Sequence, residues 1–123
     1  MKEIKLTDAE EVIMEILWDK KKVFMKEILE TYPEPKPAVT TVATLIKRMQ
    51  NKELVGYTLF GNSREYYPKV EKSDYFKEEM NTMINRFFNS SVSQFASFFT
   101  SKTKMSQKQL KELREIIDQQ IDE

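Results

Sequence analysis

The hydrophobic period of the chain changes in its middle third, and this change limits the folds that the chain can adopt. Over residues 39–52 the apolar side chains recur at helical spacing along one arc, formed by Val39, Val42, Leu45, Ile46 and Met49. Residues 54–60 and 65–70 are instead rich in Tyr, Leu, Val and Phe, which is typical of strands, and they flank the turn sequence Gly61-Asn62-Ser63-Arg64. The pattern therefore predicts a helix that is followed directly by a β-hairpin.

Two further helices are predicted ahead of this helix and hairpin. Thr7 and Glu10 have the spacing of a capping box, so the first helix is expected to begin after Thr7. A short second helix is predicted for residues 25–31, and the proline-rich residues 32–37 are predicted to form a loop, because proline cannot continue a helix. The order of helix, helix, loop, helix and hairpin is that of a winged helix-turn-helix. The predicted fold class is mainly α, with an α+β winged helix-turn-helix whose wing has two or three strands.

The last third of the chain is predicted to form three short helices. Capping sequences at Ser91 and Ser106, each with Gln three residues later, separate them. Isolated helices of this length are marginal in water, so their apolar stripes need a packing partner. A second copy of the same tail is the simplest partner, and the predicted dimer interface comprises Met80, Met83, Ile84, Phe87, Phe88, Phe95, Phe98, Phe99, Leu113 and Ile117. Helical spacing favours this role over a ligand pocket lined by aromatic side chains.

The chain is thus predicted to divide into a winged-helix domain, residues 1–72, and a C-terminal helical dimerisation region, residues 73–123. No apolar run is long enough to span a bilayer, and residues 1–5 do not begin a signal peptide. We therefore expect a cytoplasmic protein without membrane insertion.

The composition removes most classes of catalytic site. The chain contains neither Cys nor His, which excludes thiolate nucleophiles, imidazole bases and ordinary zinc or copper sites. Its two glycines, Gly56 and Gly61, are too few for a phosphate-binding loop. The acidic residues form no constellation typical of a carboxylate-dependent hydrolase. We therefore predict a protein that is not an enzyme and that has no cofactor and no metal.

The charge is zero overall but is unevenly distributed along the chain. Residues 1–35 carry a net charge of −3, whereas residues 36–69 carry six Lys or Arg and two Glu, a net charge of +4. A basic segment in a neutral protein indicates a local surface that faces an anion. The polar arc of the 39–52 helix and the hairpin tip supply the candidate DNA contacts, which are Thr40, Thr41, Thr44, Lys47, Arg48, Asn62 and Arg64. The same residues would also be expected on a helix face and a turn that contact only solvent. The hairpin that follows the helix in sequence favours contact with DNA.

Three groups of residues carry a resemblance to a known family. They are Leu6-Thr7-x-Ala9-Glu10 with Leu17-Trp18, then Thr41-Val42-x-Thr44-Leu45-x-x-Arg48-Met49-x-x-Lys52, and finally Arg64-x-Tyr66-Tyr67-Pro68. Through them the chain resembles the penicillinase-repressor (BlaI/MecI/CopY) family. The similarity extends through Ser73-Asp74-Tyr75 and, more weakly, along the tail to Leu110-x-x-Leu113-Arg114, so that it covers nearly the whole chain. The resemblance implies a homodimeric transcriptional repressor whose winged helix binds a palindromic operator in double-stranded DNA and whose C-terminal helices form the dimer. For the beta-lactam-responsive members it also implies a membrane sensor-protease pathway that leads to cleavage of the tail and release of the DNA.

The sequence departs from the pattern of this family at several positions. Thr40 is uncharged where the recognition helix of the family commonly carries a basic residue, and Ala43 is uncharged where it sometimes carries another. Ala38, a poor capping residue, stands at the usual Ser helix cap. The Asn-Phe bond that is cut in beta-lactam-responsive members aligns with Phe98-Phe99, which lacks the Asn. The copper-responsive branch uses a cysteine-rich C-terminus, whereas this chain contains no cysteine. Two functions stay open: a sequence-specific repressor, and a winged-helix module that binds a protein instead of DNA.

Overall fold

The secondary structure follows the predicted order of helices and hairpin, with one additional short strand. A computed structural model describes residues 5–122. In chain order its elements are α1 Asp8–Lys20, β1 Val23–Phe24, α2 Met25–Thr31, α3 Val39–Asn51, β2 Val55–Phe60, β3 Ser63–Pro68, α4 Lys72–Phe87, α5 Val92–Lys102 and α6 Gln107–Asp122. The predicted fold class is confirmed. Residues 1–4, which belong to the segment predicted not to begin a signal peptide, lie outside the described part.

The chain forms two compact units, which meet in sequence between Glu79 and Met80. The first unit includes the beginning of α4, which lies beyond the predicted boundary at residue 72. Tyr75 is buried, and its hydroxyl accepts a hydrogen bond from the backbone N–H of Leu6 at 3.5 Å. The Tyr75 ring also packs on the ring of Trp18, with centroids 5.8 Å apart. These contacts attach the start of α4 to α1.

A single hydrophobic core holds the first unit together. Its fully buried side chains come from α1, β1, α2 and α3, and the largest are Ile13, Met14, Leu17, Val23, Ile28, Val42, Ile46 and Met49. The inward stripe of α3 is therefore as predicted at Val42, Ile46 and Met49. The prediction that Val39 also faces inward is wrong, because this side chain is 56% exposed. Val39 is the first residue of α3, and the buried face of the helix begins three residues later, at Val42.

The three strands form an antiparallel sheet in the order β1-β3-β2. Strands β2 and β3 pair from Val55 opposite Pro68 to Phe60 opposite Ser63. The turn therefore contains only Gly61 and Asn62, and the predicted four-residue turn is wrong, because its last two residues belong to β3. Gly61 has a φ of +61°, which glycine adopts without steric cost and which a two-residue hairpin turn of this kind requires.

The start of α1 is joined to the end of α3 by one buried carboxylate. Thr7 and Glu10 form the predicted capping box, in which Oγ1 of Thr7 accepts a hydrogen bond from Glu10 N at 3.2 Å and Glu10 Oε1 accepts one from Thr7 N at 2.9 Å. The other oxygen of Glu10, Oε2, lies 2.8 Å from Nζ of Lys52, the residue that caps the C-terminus of α3. Burial raises the pKa of Glu10, but the hydrogen bonds with Lys52 and Thr7 and the charge of Lys52 together lower it by more, so the net pKa is below the ordinary value of 4.5.

Replacing Glu10 with Gln should lower the free energy of unfolding by about 1 kcal/mol at neutral pH. Gln keeps the cap on Thr7 but loses the charge that faces Lys52, and solvent screens this pair because Lys52 is 44% exposed. The folded-state pKa lies below the unfolded-state pKa, so the contribution of Glu10 is present above about pH 4.5 and is lost as the pH falls through the folded-state value. Glu10→Gln should lack this acid-dependent loss. Urea unfolding, followed by the emission of Trp18, the only tryptophan, measures both effects.

A second variant, Lys52→Met, tests the same ion pair from its other side, because it leaves the buried carboxylate without its cation. We expect a larger loss of about 2 kcal/mol, because an uncompensated buried charge costs more than the absence of the pair. Wild-type stability in Lys52→Met would show that the pair does not hold α1 and α3 together.

The second unit contains the end of α4 together with α5 and α6. The predicted box at Ser106 is complete, because Ser106 and Gln109 exchange hydrogen bonds between their side chains and backbones. At Ser91 only half of the predicted box forms: Ser91 Oγ accepts from Gln94 N at 3.1 Å, whereas the Gln94 side chain accepts from Nδ2 of Asn89. None of the described residues of α5 and α6 is buried. Several of their apolar side chains are exposed, among them Val92, Phe98 and Ile121. Across residues 5–122, no helix combines the length and the apolar character needed to cross a membrane.

Candidate nucleic-acid interface

Helix α3 has one face in the core and one face in solvent. Val42, Ile46 and Met49 are buried and fix the helix to the body of the first unit. The five candidate DNA contacts of this helix are all exposed: Thr40, Thr41, Thr44, Lys47 and Arg48. The core thus fixes the helix, while the short hydroxyls and the two cations remain open to a partner.

Four of these five side chains surround a shallow groove on the surface. Thr40, Thr41, Thr44 and Arg48 line it together with Leu45 and with Ala9 of α1, whereas Lys47 lies outside the lining. The hydroxyl of Thr44 donates a hydrogen bond to the backbone carbonyl of Thr40 at 2.8 Å. Its proton is therefore used within the helix, and the groups left for a ligand are the oxygen lone pairs and the methyl group.

The positive charge on this face is not neutralised by neighbouring acids. Helix α3 contains no acidic residue. Among residues 5–122 the only ion pair between side chains is Lys52 with Glu10, so Lys47, Arg48 and Arg64 have no carboxylate partner there. Within the same range no three acidic side chains cluster in a way that could hold a metal ion. The site is therefore suited to binding an anion by hydrogen bonds and charge.

The wing tip forms a second group of candidate residues. Asn62 and Arg64 are exposed and line a depression together with Phe24, Met25, Lys26, Ser63 and Tyr66. The guanidinium carbon of Arg64 lies 4.4 Å from the centroid of the Tyr57 ring. The candidate residues are thus brought together in two groups, one on α3 and one at the wing, and both are fixed to the same core.

Lys26 is a cation at the wing that was not predicted from the sequence. It lies beside the wing because β1 pairs Val23 with Tyr66 and Phe24 with Glu65, and α2 begins immediately after β1. A strand of two residues leaves no periodic signal, so its partner is not evident from the sequence. The only local signal is the β-branched and aromatic pair Val23-Phe24 ahead of the helix.

The predicted interface residues of the second unit differ in how much surface they leave open. Ile84 is buried, and Met83, Phe88, Phe95 and Leu113 are half-buried. The rings of Phe88 and Phe95 lie 5.5 Å apart, and Phe88 is 5.4 Å from Phe98. The remaining members are exposed, namely Met80, Phe87, Phe98, Phe99 and Ile117. Phe87 is 68% exposed and offers the most free apolar surface among the predicted interface residues.

Comparisons with known proteins agree with this architecture. A penicillinase repressor from Bacillus licheniformis is 23% identical over 121 residues, which cover 97% of this chain and 94% of the relative. The methicillin resistance regulatory protein MecI of Staphylococcus aureus strain N315 is 28% identical over 118 residues, with 95% and 96% covered. The solution structure of the DNA-binding domain of the repressor BlaI shares the fold, with a TM-score of 0.53 and 23% identity over 60% of this chain and 92% of that chain. The family model for the penicillinase repressor matches residues 6–119, and the chain therefore belongs to this family.

Proposed function

We propose that the protein is a homodimeric transcriptional repressor that acts in the cytoplasm and binds a palindromic operator in double-stranded DNA. One observation carries this proposal: α3 is anchored by one face, and its other face presents hydroxyls and two cations that form no ion pair within residues 5–122, on a helix that contains no acid. The relatives named penicillinase repressor and MecI, and the fold shared with the DNA-binding domain of BlaI, support it.

Each candidate side chain suits a particular feature of DNA. Lys47 and Arg48 suit phosphates, and Arg48 also suits the O6 and N7 atoms of guanine in the major groove. The methyl group of Thr44 suits the methyl group of thymine, since its hydroxyl proton is already bonded within the helix. Asn62 and Arg64 at the wing suit the backbone or the minor groove next to the half-site that α3 occupies.

The C-terminal helices are proposed to form the dimer, because α5 and α6 leave their apolar stripes uncovered in a single chain. Two-fold symmetry then places the two α3 helices in half-sites about 34 Å apart, or at a multiple of that distance.

Weakening or cutting the dimer region would release the operator, because two linked DNA-binding domains bind far better than one. The sensor-protease pathway that the family resemblance implies would supply the cut. Here Phe98-Phe99 lies inside α5, so a protease needs local unfolding to reach it.

Selection of duplexes from a random pool by the full chain tests this function. We expect the bound duplexes to share a pseudo-palindrome, because an isologous dimer presents the same surface twice. Failure to enrich any sequence, with no retardation in a gel shift, would contradict the proposal. That result would favour a module that binds protein, for which the exposed wing residues Leu59 and Phe60 provide apolar surface.

The salt dependence of binding to the selected duplex tests how many cations contact phosphate. With three or four cations per subunit at phosphates, log K should fall with log salt concentration at a slope of roughly −5 to −7. The candidates are Lys26, Lys47, Arg48 and Arg64. Anisotropy titrations at several salt concentrations give the slope, and a value near zero would show that these cations do not face the DNA.

A further inference from the structure

Tyr57 and Arg64 form a pair on the wing that the proposed contacts do not explain. In the β2–β3 register Tyr57 lies opposite Tyr66, and Arg64 lies opposite Leu59, so Tyr57 and Arg64 are diagonal neighbours on one face of the sheet. The guanidinium carbon lies 4.4 Å from the centroid of the Tyr57 ring, which is within the range of a cation–π contact.

This face of the sheet changes character along its length. At the base of the hairpin this face carries Val55, and opposite Tyr57 it carries Tyr66; both side chains are buried in the core. Toward the tip the same face emerges into solvent, where Tyr57 is 36% exposed and Arg64 is exposed. The ring of Tyr57 packs edge-on against the buried ring of Tyr66, with centroids 6.2 Å apart, and Arg64 lies over Tyr57 at a site that solvent and a ligand can reach.

At 4.4 Å from the ring centroid the guanidinium of Arg64 is close enough to lie flat on the Tyr57 ring, an arrangement that leaves its hydrogen-bonding edge free. A cation–π contact uses the flat face of the guanidinium, whereas its N–H donors point outward in the guanidinium plane. Within residues 5–122 Arg64 forms no ion pair, so no carboxylate competes for these donors. An arginine that is already oriented loses less side-chain freedom when it binds an anion than a mobile one does.

We propose that Tyr57 is a positioning residue, which holds the guanidinium of Arg64 in the orientation that contacts DNA at the wing. This inference rests on the proposed DNA-binding function. Tyr57 itself acts through Arg64, so removing the ring should matter only while Arg64 is present.

A double-mutant cycle tests this dependence, with the duplex that the wild-type chain selects as the probe. Tyr57→Leu should weaken binding by about fivefold, given the strength of an exposed cation–π contact. Tyr57→Phe should bind like the wild type, because the ring is kept. In an Arg64→Ala background, Tyr57→Leu should change the dissociation constant no further. Phe60→Leu, which removes an exposed ring from the other face of the same strand, is the matched control and should bind like the wild type.

An NMR measurement without DNA tests the contact itself. Ring currents should shift the side-chain protons of Arg64 upfield in the wild type and in Tyr57→Phe, and the shift should disappear in Tyr57→Leu. Additive effects in the cycle, or an unshifted Arg64 in the wild type, would overturn the inference while leaving the DNA-binding proposal intact. A wild-type chain that selects no duplex overturns both. Thermal melting of each variant shows whether the wing is still folded.

Discussion

Replacing Phe87 with Asp is expected to convert the proposed dimer into monomers. The side chain is 68% exposed in the single chain, so its removal costs the subunit little of its own packing. In the dimer the same position would bury a carboxylate in an apolar interface, and symmetry repeats the penalty in both subunits. We expect the dimer dissociation constant to rise by at least about 1,000-fold, which is about 4 kcal/mol. Light scattering after gel filtration, over a range of protein concentrations, measures the change.

Asn85, two residues before Phe87, provides a matched control. Asn85 is exposed on the same helix, and Asn85→Asp adds the same charge without touching the apolar stripe. It should leave the dimer intact. Phe95 is a poorer test site, because its ring already packs against Phe88 and Phe99 within one chain and a charge there would also disturb the subunit. If Phe87→Asp stays dimeric with unchanged affinity, the C-terminal helices do not form the interface as proposed.

The features that the sequence predicts well are those set by local chemistry. Thr7, Ser91 and Ser106 fix helix starts through hydrogen bonds that span only three residues, so the capping patterns alone locate them. The division of α3 into a buried and an exposed face follows from the helical period, which places Ile46 and Arg48 on different sides. The helical period wrongly places Val39 on the buried face, because the period does not indicate at which residue of the helix the core ends.

The features that the sequence does not predict depend on contacts between distant residues. Strand β1 exists because β3 pairs with it, and Lys26 lies at the wing for that reason. The ion pair of Glu10 with Lys52 joins two helix ends whose proximity follows only from the packed core. The turn length is likewise set by the β2–β3 register, which places Arg64 in a strand and allows it to lie over Tyr57.

Replacing Arg48 with Ala is expected to weaken binding of the selected duplex by about 100-fold, from a loss of roughly 1–2 kcal/mol in each of two subunits. Arg48 lines the groove formed with Thr41 and Thr44, and its charge is not neutralised by any described acid. Because the side chain is exposed, its truncation should leave the melting temperature and the dimer unchanged. Anisotropy titrations against the selected duplex measure the loss.

The salt slope and the base preference separate the two possible contacts of Arg48. If Arg48 meets a phosphate in each half-site, the slope should become less negative by about 2 in Arg48→Ala, and Arg48→Lys should restore most of the affinity. If it reads a guanine, repeated selection with Arg48→Ala should show a relaxed preference at one position of each half-site, and Arg48→Lys should restore little. Lys111→Ala removes an exposed cation of α6 and should change neither property. Wild-type affinity in Arg48→Ala would show that the exposed face of α3 does not contact the operator through this residue.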